Sequence, residues 1–319
     1  MYTIRPFEPT DAEYDAVVAV ANAAWPDEQD TVANWKHNDA NRNADRLFQR
    51  FTVENDTQEI VAEAACWESN WSHVPGKYVF EITIHPDCAQ QGIEALCYDH
   101  LLNFLSLREP KPTTLQTFTR EDKTNRIQFL TDHGYKMAMR EANSQIDLAD
   151  YDFSHFEKSQ EKVLGQGIEL LTLPEIQARD QDWMKPYHAL FTAIITDIPD
   201  TDDTTPQPIA EFAKEFEHPN FLPNAQFFAL EDGKWVGLST IWKDAVQEDR
   251  HWVGVTGILP SHRRRGIATA LKWLTFDYAR RHNVRYIVTE NEENNPMYDL
   301  NIALGFEPLP GWLTYRKEI

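Results

Sequence analysis

The sequence predicts a mixed α+β protein in which one fold is written twice, and two observations carry the prediction. The first is length: 319 residues exceed what one core of ordinary size organises, and about 150 residues per domain gives two. The second is internal similarity. Ile82-Thr83-Ile84-His85-Pro86 leads through a polar loop to Gly92-Ile93, and Thr256-Gly257-Ile258-Leu259-Pro260 leads through another to Gly266-Ile267. Pro86 and Pro260 lie 174 residues apart, as do Gly92 and Gly266, and Gly134-Tyr135 and Gly305-Phe306 repeat at 171. An offset kept nearly constant across separate landmarks marks a duplicated domain.

The elements follow in order. Each half opens on a strand-like run before a helix start: Tyr2–Phe7 before Pro9-Thr10-Asp11, and Ile168–Leu171 before Leu173-Pro174-Glu175. Thr10 with Glu13 has the spacing of a capping box. Hairpins come next: Phe51–Val53 and Ile60–Ala62 flank Asn55-Asp56-Thr57, while Phe227–Leu230 and Trp235–Ser239 flank a turn containing Asp232-Gly233. Val253–Ile258 has the β-branched content of a strand and Pro260 ends it. Ile267, Leu271, Leu274 and Tyr278 then recur at the spacing of one helix face. Tyr286–Thr289 and Trp312–Tyr315 read as later strands. The polar stretch Asp150–Gly167 joins the halves, with domains of 1–160 and 161–319. A second polar run, Asp197–Gln207, reads as a mobile loop within the second domain.

Composition narrows the function. A net charge of −21 argues against nucleic acid and anionic membranes as partners, and serves solubility first. No run of 18 apolar residues predicts a membrane span, and the N-terminal residues lack the order of a signal peptide. Cys66, Cys88 and Cys97 form no Cys-x-x-Cys pair, so free thiols in a reducing cytoplasm are expected. No His, Cys or carboxylate group has metal-ligand spacing, so no metal is expected.

The chemistry concentrates after Val253. A strand runs into Arg263-Arg264-Arg265-Gly266-Ile267-Ala268, and the loop opens a helix. Unpaired N–H groups at a helix start and the helix dipole attract an anion, and a glycine lets the backbone approach a phosphate closely. Arg-x-x-Gly-x-Ala after a strand ending in proline resembles the acetyl-CoA signature of the GNAT acetyltransferase superfamily. Asn294-x-x-Met297-x-x-Leu300-Asn301-x-x-Leu304-Gly305-Phe306 is similar to that superfamily's downstream segment. The resemblance covers about residues 165–319 with a weaker copy over 1–150, and the whole chain is similar to tandem members of the mycothiol-synthase type.

That resemblance implies a mostly antiparallel mixed sheet flanked by helices in each half. It implies acetyl-CoA as co-substrate, held by Ile258, Arg263, Arg264, Arg265, Gly266, Ile267, Ala268, Thr269 and Asn294. It implies direct attack by an acceptor amine on the thioester, with a tyrosine protonating the leaving thiolate. Here the chain departs from the pattern, because Asn301 stands at the tyrosine position and a carboxamide donates a hydrogen bond but no proton. Either Asn301 bonds the CoA sulfur, or Tyr298 supplies the proton, or the thiolate leaves unaided, as its pKa near ~8.5 allows. Val253–Ile258 holds no carboxylate, so the base is left among Glu290, Glu292, Asp197, Asp200 and a water chain, while His251 reads as a strand-edge histidine rather than a base. Gly257 is expected to make room for a ligand.

The first copy looks degraded. Its loop reads Ala89-Gln90-Gln91-Gly92-Ile93-Glu94, and Glu94 places a carboxylate where an anion should bind. Leu130 stands at its tyrosine position, and Glu81 is a base candidate without a cofactor. Trp25, Trp35, Trp67 and Trp71 are expected to pack. The expected function is N-acetylation of a small-molecule amine by the second domain. The alternatives are a non-enzymatic acyl-CoA-binding or protein-interaction module, and transfer from another acyl or aminoacyl donor.

Overall fold

The structure is a computed structural model, and it describes the chain from Met1 to Ile319 apart from the side chains of residues 155 and 157. The chain forms two compact units, one of Met1–Arg140 with Trp312–Ile319 and one of Glu141–Gly311.

The first unit contains β1 (Thr3–Pro6), α1 (Asp11–Ala24), α2 (Val32–Ala40), β2 (Phe48–Glu54), β3 (Ile60–Trp67), β4 (Lys77–Ile84), α3 (Ile93–Ser106), β5 (Thr114–Arg120) and α4 (Thr124–Asp132). β1 to β4 are antiparallel neighbours in order. β4 and β5 are parallel, which requires a crossover, and α3 supplies it. The last strand of this sheet comes from the end of the chain: Trp312–Glu318 pair antiparallel with β5. Leu313 and Tyr315 thereby join the core around Phe51, Tyr78, Phe80, Leu101 and Leu115. Trp25 packs on Trp312 with ring centroids 5.0 Å apart. At the start of α1, Thr10 accepts from the Glu13 N–H, but the Glu13 carboxylate accepts from the Glu8 N–H, two residues before the N-cap, rather than from Thr10.

The second unit contains β6 (Lys136–Asp147, from Glu141 onward), α5 (Ser154–Leu164), β7 (Ile168–Thr172), α6 (Leu173–Gln177), α7 (Met184–Thr196), α8 (Ile209–Phe212), β8 (Gln226–Glu231), β9 (Lys234–Lys243), β10 (Arg250–Ile258), α9 (Ile267–Arg281), β11 (Tyr286–Glu292), α10 (Pro296–Ala303) and the start of β12 (Glu307–Glu318). β7 to β10 are antiparallel neighbours in order, and β10 and β11 are parallel across α9. Glu141–Asp147 then pair antiparallel with β11. Each unit is thus a mostly antiparallel mixed sheet flanked by helices. Each takes its last strand from the segment that follows the other half's final helix.

Two features of the second unit differ from the sequence reading. The polar stretch Asp150–Gly167 is no plain connection, because it contains α5. Phe156 packs on Phe276 of α9 with centroids 5.7 Å apart, and Val163 is fully buried. A polar helix needs only a few apolar anchors when a neighbour covers one narrow stripe. The second feature is a register shift of β10 against β9 between Val253 and Thr256. It is a bulge, and a bulge bends a strand and re-aims its backbone. The Asp232-Gly233 turn is as expected, with both residues at positive φ (50° and 75°).

Candidate active site

The loop between β10 and α9 owes its shape to two left-handed residues. Pro260–His262 make one 3₁₀ turn, Arg264 adopts φ 63° and Gly266 φ 87°. Gly266 is the N-cap of α9, and no side chain caps the helix start. The N–H groups of its first turn therefore face the space in front of the loop. That space is a groove of about 720 Å³ running along Thr256–Ile258 of β10 between Ile194 and Asp197 on one side and Pro296, Met297 and Leu300 of α10 on the other.

The three arginines have separate tasks. Arg263 bonds the Ile258 carbonyl at 3.1 Å and pairs with Asp197. Arg265 forks onto Glu231 (2.7 and 3.3 Å) and bonds Gln166 (3.0 Å). Arg265 and His262 hold the Glu231 carboxyl at about 2, well below the usual range. Arg264 lines the groove and is exposed, with no hydrogen bond or ion pair to the protein among the described residues.

A smaller cavity of about 100 Å³ opens where β10 and β11 part. Their pairing covers Arg250–Trp252 against Tyr286–Val288. Beyond it the cavity is lined by Val253–Thr256, Thr289–Glu292, Glu141 and Lys272, and it shares Thr256, Asn295 and Met297 with the groove. Burial, with Asp200 nearby, raises the pKa of Glu141. Lys272 is 1% exposed, and burial lowers its amine to about 7.

The profile of the Acetyltransferase (GNAT) family matches residues 188–306. This chain carries a GNAT acetyltransferase domain. No protein of curated function matches the sequence significantly. Among solved structures, a tandem GNAT protein from the clavulanic acid biosynthesis pathway superposes with a TM-score of 0.74 at 17% identity, covering 100% of this chain and 98% of that one. A GCN5-related N-acetyltransferase from Sphaerobacter thermophilus gives 0.70 at 16% identity, covering 99% and 95%. A GNAT-family acetyltransferase from Colwellia psychrerythraea gives 0.62 at 13% identity, covering 99% and 100%. These likenesses establish a tandem GNAT fold over the whole chain. With the family match over residues 188–306, the second unit carries the acetyltransferase domain, and that family moves an acyl group from an acyl-CoA to an acceptor.

Against that fold the sequence-derived residues sort into two groups. Ile258, Arg263, Arg264, Gly266, Ile267, Ala268 and Thr269 line the GNAT groove. Arg265 and Asn294 do not. The Asn294 side chain is exposed and bonds Glu292, and its neighbour Asn295 faces the groove. Asn301 is fully buried, and its amide donates to Asn291 at 2.7 Å, so it does not border the groove. Tyr298 is half-buried and also lies outside it. Of the base candidates, Glu290 and Glu292 line the smaller cavity and Asp197 pairs with Arg263. His251 is buried against the Arg250 carbonyl, outside both cavities. Gly257 makes room for protein rather than ligand, since a Cβ there would meet Ile194 at 2.2 Å.

Sequence reading missed Glu141 and Lys272. Glu141 precedes the nearest cavity residue of the second half by more than fifty positions, and only strand pairing brings it opposite Glu292. Lys272 did leave a signal. It belongs to a second stripe with Ala268, Phe276 and Ala279, and a lysine inside a broad apolar face is buried for a reason.

The first unit's loop keeps the backbone without the charges. Gln90 and Gly92 adopt φ 61° and 78°. Glu94 in the first turn of α3 is paired with Arg126, and Gln91 accepts from the Tyr2 hydroxyl. The register of β4 against β3 runs without a shift. Cys66 and Cys97 are buried, their thiols pushed up to about 12.

Proposed function

We propose that the second unit transfers the acetyl group of acetyl-CoA to the amine of a small cationic acceptor, in the cytoplasm, and that the first unit is noncatalytic. The observation that carries this reading is adjacency: the groove in front of an uncapped helix start and an unpartnered arginine shares Thr256, Asn295 and Met297 with a carboxylate-lined cavity between parting strands. A pyrophosphate suits the first end. The N–H groups of Ile267, Ala268 and Thr269 point at it, Gly266 presents no Cβ to it, and Arg264 supplies a cation. The pantetheine arm follows Thr256–Ile258.

The far end suits an amine. Glu141, Glu290 and Glu292 surround it with negative charge, which attracts a cationic acceptor. Glu141 is the base in this reading. Its raised pKa brings it closer to neutral pH, where a carboxylate both accepts the amine proton and releases it again. Acetyl-CoA supplies an activated acyl group. The protein's part is to align the amine with it, and alignment alone removes several kcal/mol of barrier, about 7 or more in well-oriented cases.

The test is release of free thiol from acetyl-CoA over a panel of small amines, neutral and cationic. The reading expects turnover with cationic amines and N-acetylated product by mass spectrometry. Binding of acetyl-CoA without turnover on any amine would contradict it.

A further inference from the structure

We propose that Lys272 is the catalytic acid of this enzyme, its buried ammonium protonating the CoA sulfur in the gap between β10 and β11 as the thioester breaks. The inference rests on the acyl-transfer reading above.

The residue has no structural explanation. Lys272 is 1% exposed, its amine makes no hydrogen bond or ion pair among the described residues, and its Nζ lies 5.6 Å from the centroid of the Phe306 ring. An unpaired buried cation is costly unless it is neutralised or matched by an anion. Lys272 is the one cation among the described residues lining the smaller cavity. The cavity's carboxylates Glu141, Glu290 and Glu292 form no ion pair with Lys272, and the groove brings the developing thiolate of the co-substrate to the same place. From Ile258, beside the loop, to Val255, beside the cavity, is about 10 Å of strand at 3.3 Å per residue, within reach of an extended pantetheine arm. The residues that sequence offered for this task are elsewhere: Asn301 is buried against Asn291, and Tyr298 lies outside both cavities. Burial also suits the chemistry, because an amine lowered to about 7 gives up its proton readily at neutral pH.

The step balances. The acceptor nitrogen forms the C–N bond, the C–S bond breaks, and its electron pair stays on sulfur. Lys272 Nζ delivers a proton to that sulfur, giving free CoA thiol. Glu141 takes the surplus proton from nitrogen. Proton exchange with solvent on product release resets both groups.

Binding tests this without turnover. The probes are CoA and desulfo-CoA, titrated calorimetrically near pH ~6, where Lys272 carries its proton, against the full-length protein. Wild type is expected to favour CoA by about tenfold, the value of a hydrogen bond to a charged group. Lys272→Met is expected to bind both equally, with its affinity for desulfo-CoA unchanged, which also reports an intact fold. Removing a buried charge for a side chain of similar shape is well tolerated. Acetyl-transfer kcat in Lys272→Met should fall by about 100-fold or more. A wild-type ratio of one overturns the proposal without any variant. So does a Lys272→Met protein that keeps the wild-type ratio. If wild type binds neither probe, the acyl-CoA reading itself fails.

Discussion

The loops that open α3 and α9 share a backbone and differ in chemistry. Gln90 and Gly92 match Arg264 and Gly266 in φ to within 10°. Yet one helix start presents Glu94, tied to Arg126, and the other presents Ala268 beside a free Arg264. The strands before them differ as well. β10 carries a bulge between Val253 and Thr256, and β4 pairs without one. An anion cradle is therefore a property of the backbone only in part. Charge at the helix start and one residue in the preceding strand separate the halves.

The largest expected effect sets the carboxylates of the two halves against each other. Glu141→Gln should lower kcat by about 100-fold or more, the usual worth of a positioned base. Glu81→Gln, on the first half's strand, should change it by less than about twofold, within the range of substitutions away from a site. Steady-state rates at saturating acetyl-CoA decide this, and equal losses would break the comparison.

Next comes the packing that distinguishes the strands. Thr83 occupies the position of Gly257 in the first half, 174 residues earlier, and is buried there. Gly257→Thr should destabilise the second unit by about 1–3 kcal/mol through overpacking against Ile194. In an Ile194→Ala background that cost should vanish, since the two residues are in contact. Denaturant unfolding of the four proteins measures it.

Within the loop itself, Arg264→Ala should weaken CoA binding about tenfold, as loss of a charge-assisted contact does. Arg265→Ala, which removes a fork onto Glu231, should change it by less than about threefold. Titration calorimetry compares them. The smallest effect is on acid stability. The Glu231 carboxyl is held at about 2 against an ordinary 4.5. Its contribution is thus present above about pH 4.5 and is lost as pH falls toward 2. Arg265→Ala should flatten the fall of Tm between pH 5 and 3, and an unchanged slope would assign the low pKa to His262.

Much of this was legible in the sequence, for identifiable reasons. The duplication, the Asp232-Gly233 hairpin and the loop before α9 follow from local rules: turn chemistry, periodicity, and the need for glycine at positive φ. What was hidden depends on long-range pairing. The boundary read near Glu161 does not show that β6 completes the second unit's sheet while Trp312–Glu318 completes the first. Because of that exchange Glu141 reads as part of the first half. α5 was hidden in a polar stretch because a few apolar residues sufficed to hold it. The motif gives Asn301 a position but not a direction: its amide donates to Asn291, ten residues earlier on another element. Arg265 looked equal to Arg264, and only Glu231 on β8 tells them apart.

The central claim is that the loop before α9 holds the co-substrate and its twin does not. The most direct measurement is the CoA-induced shift in Tm of two matched variants, Gly266→Glu and Gly92→Glu. Both place a side chain at positive φ, at a similar backbone cost of about 1–2 kcal/mol. A Cβ meets nothing within 4 Å at Gly92 and only Val163, at 3.9 Å, at Gly266. Gly266→Glu is expected to abolish the shift, and Gly92→Glu to retain the wild-type shift. Loss of the shift in Gly92→Glu, with retention in Gly266→Glu, would contradict that claim.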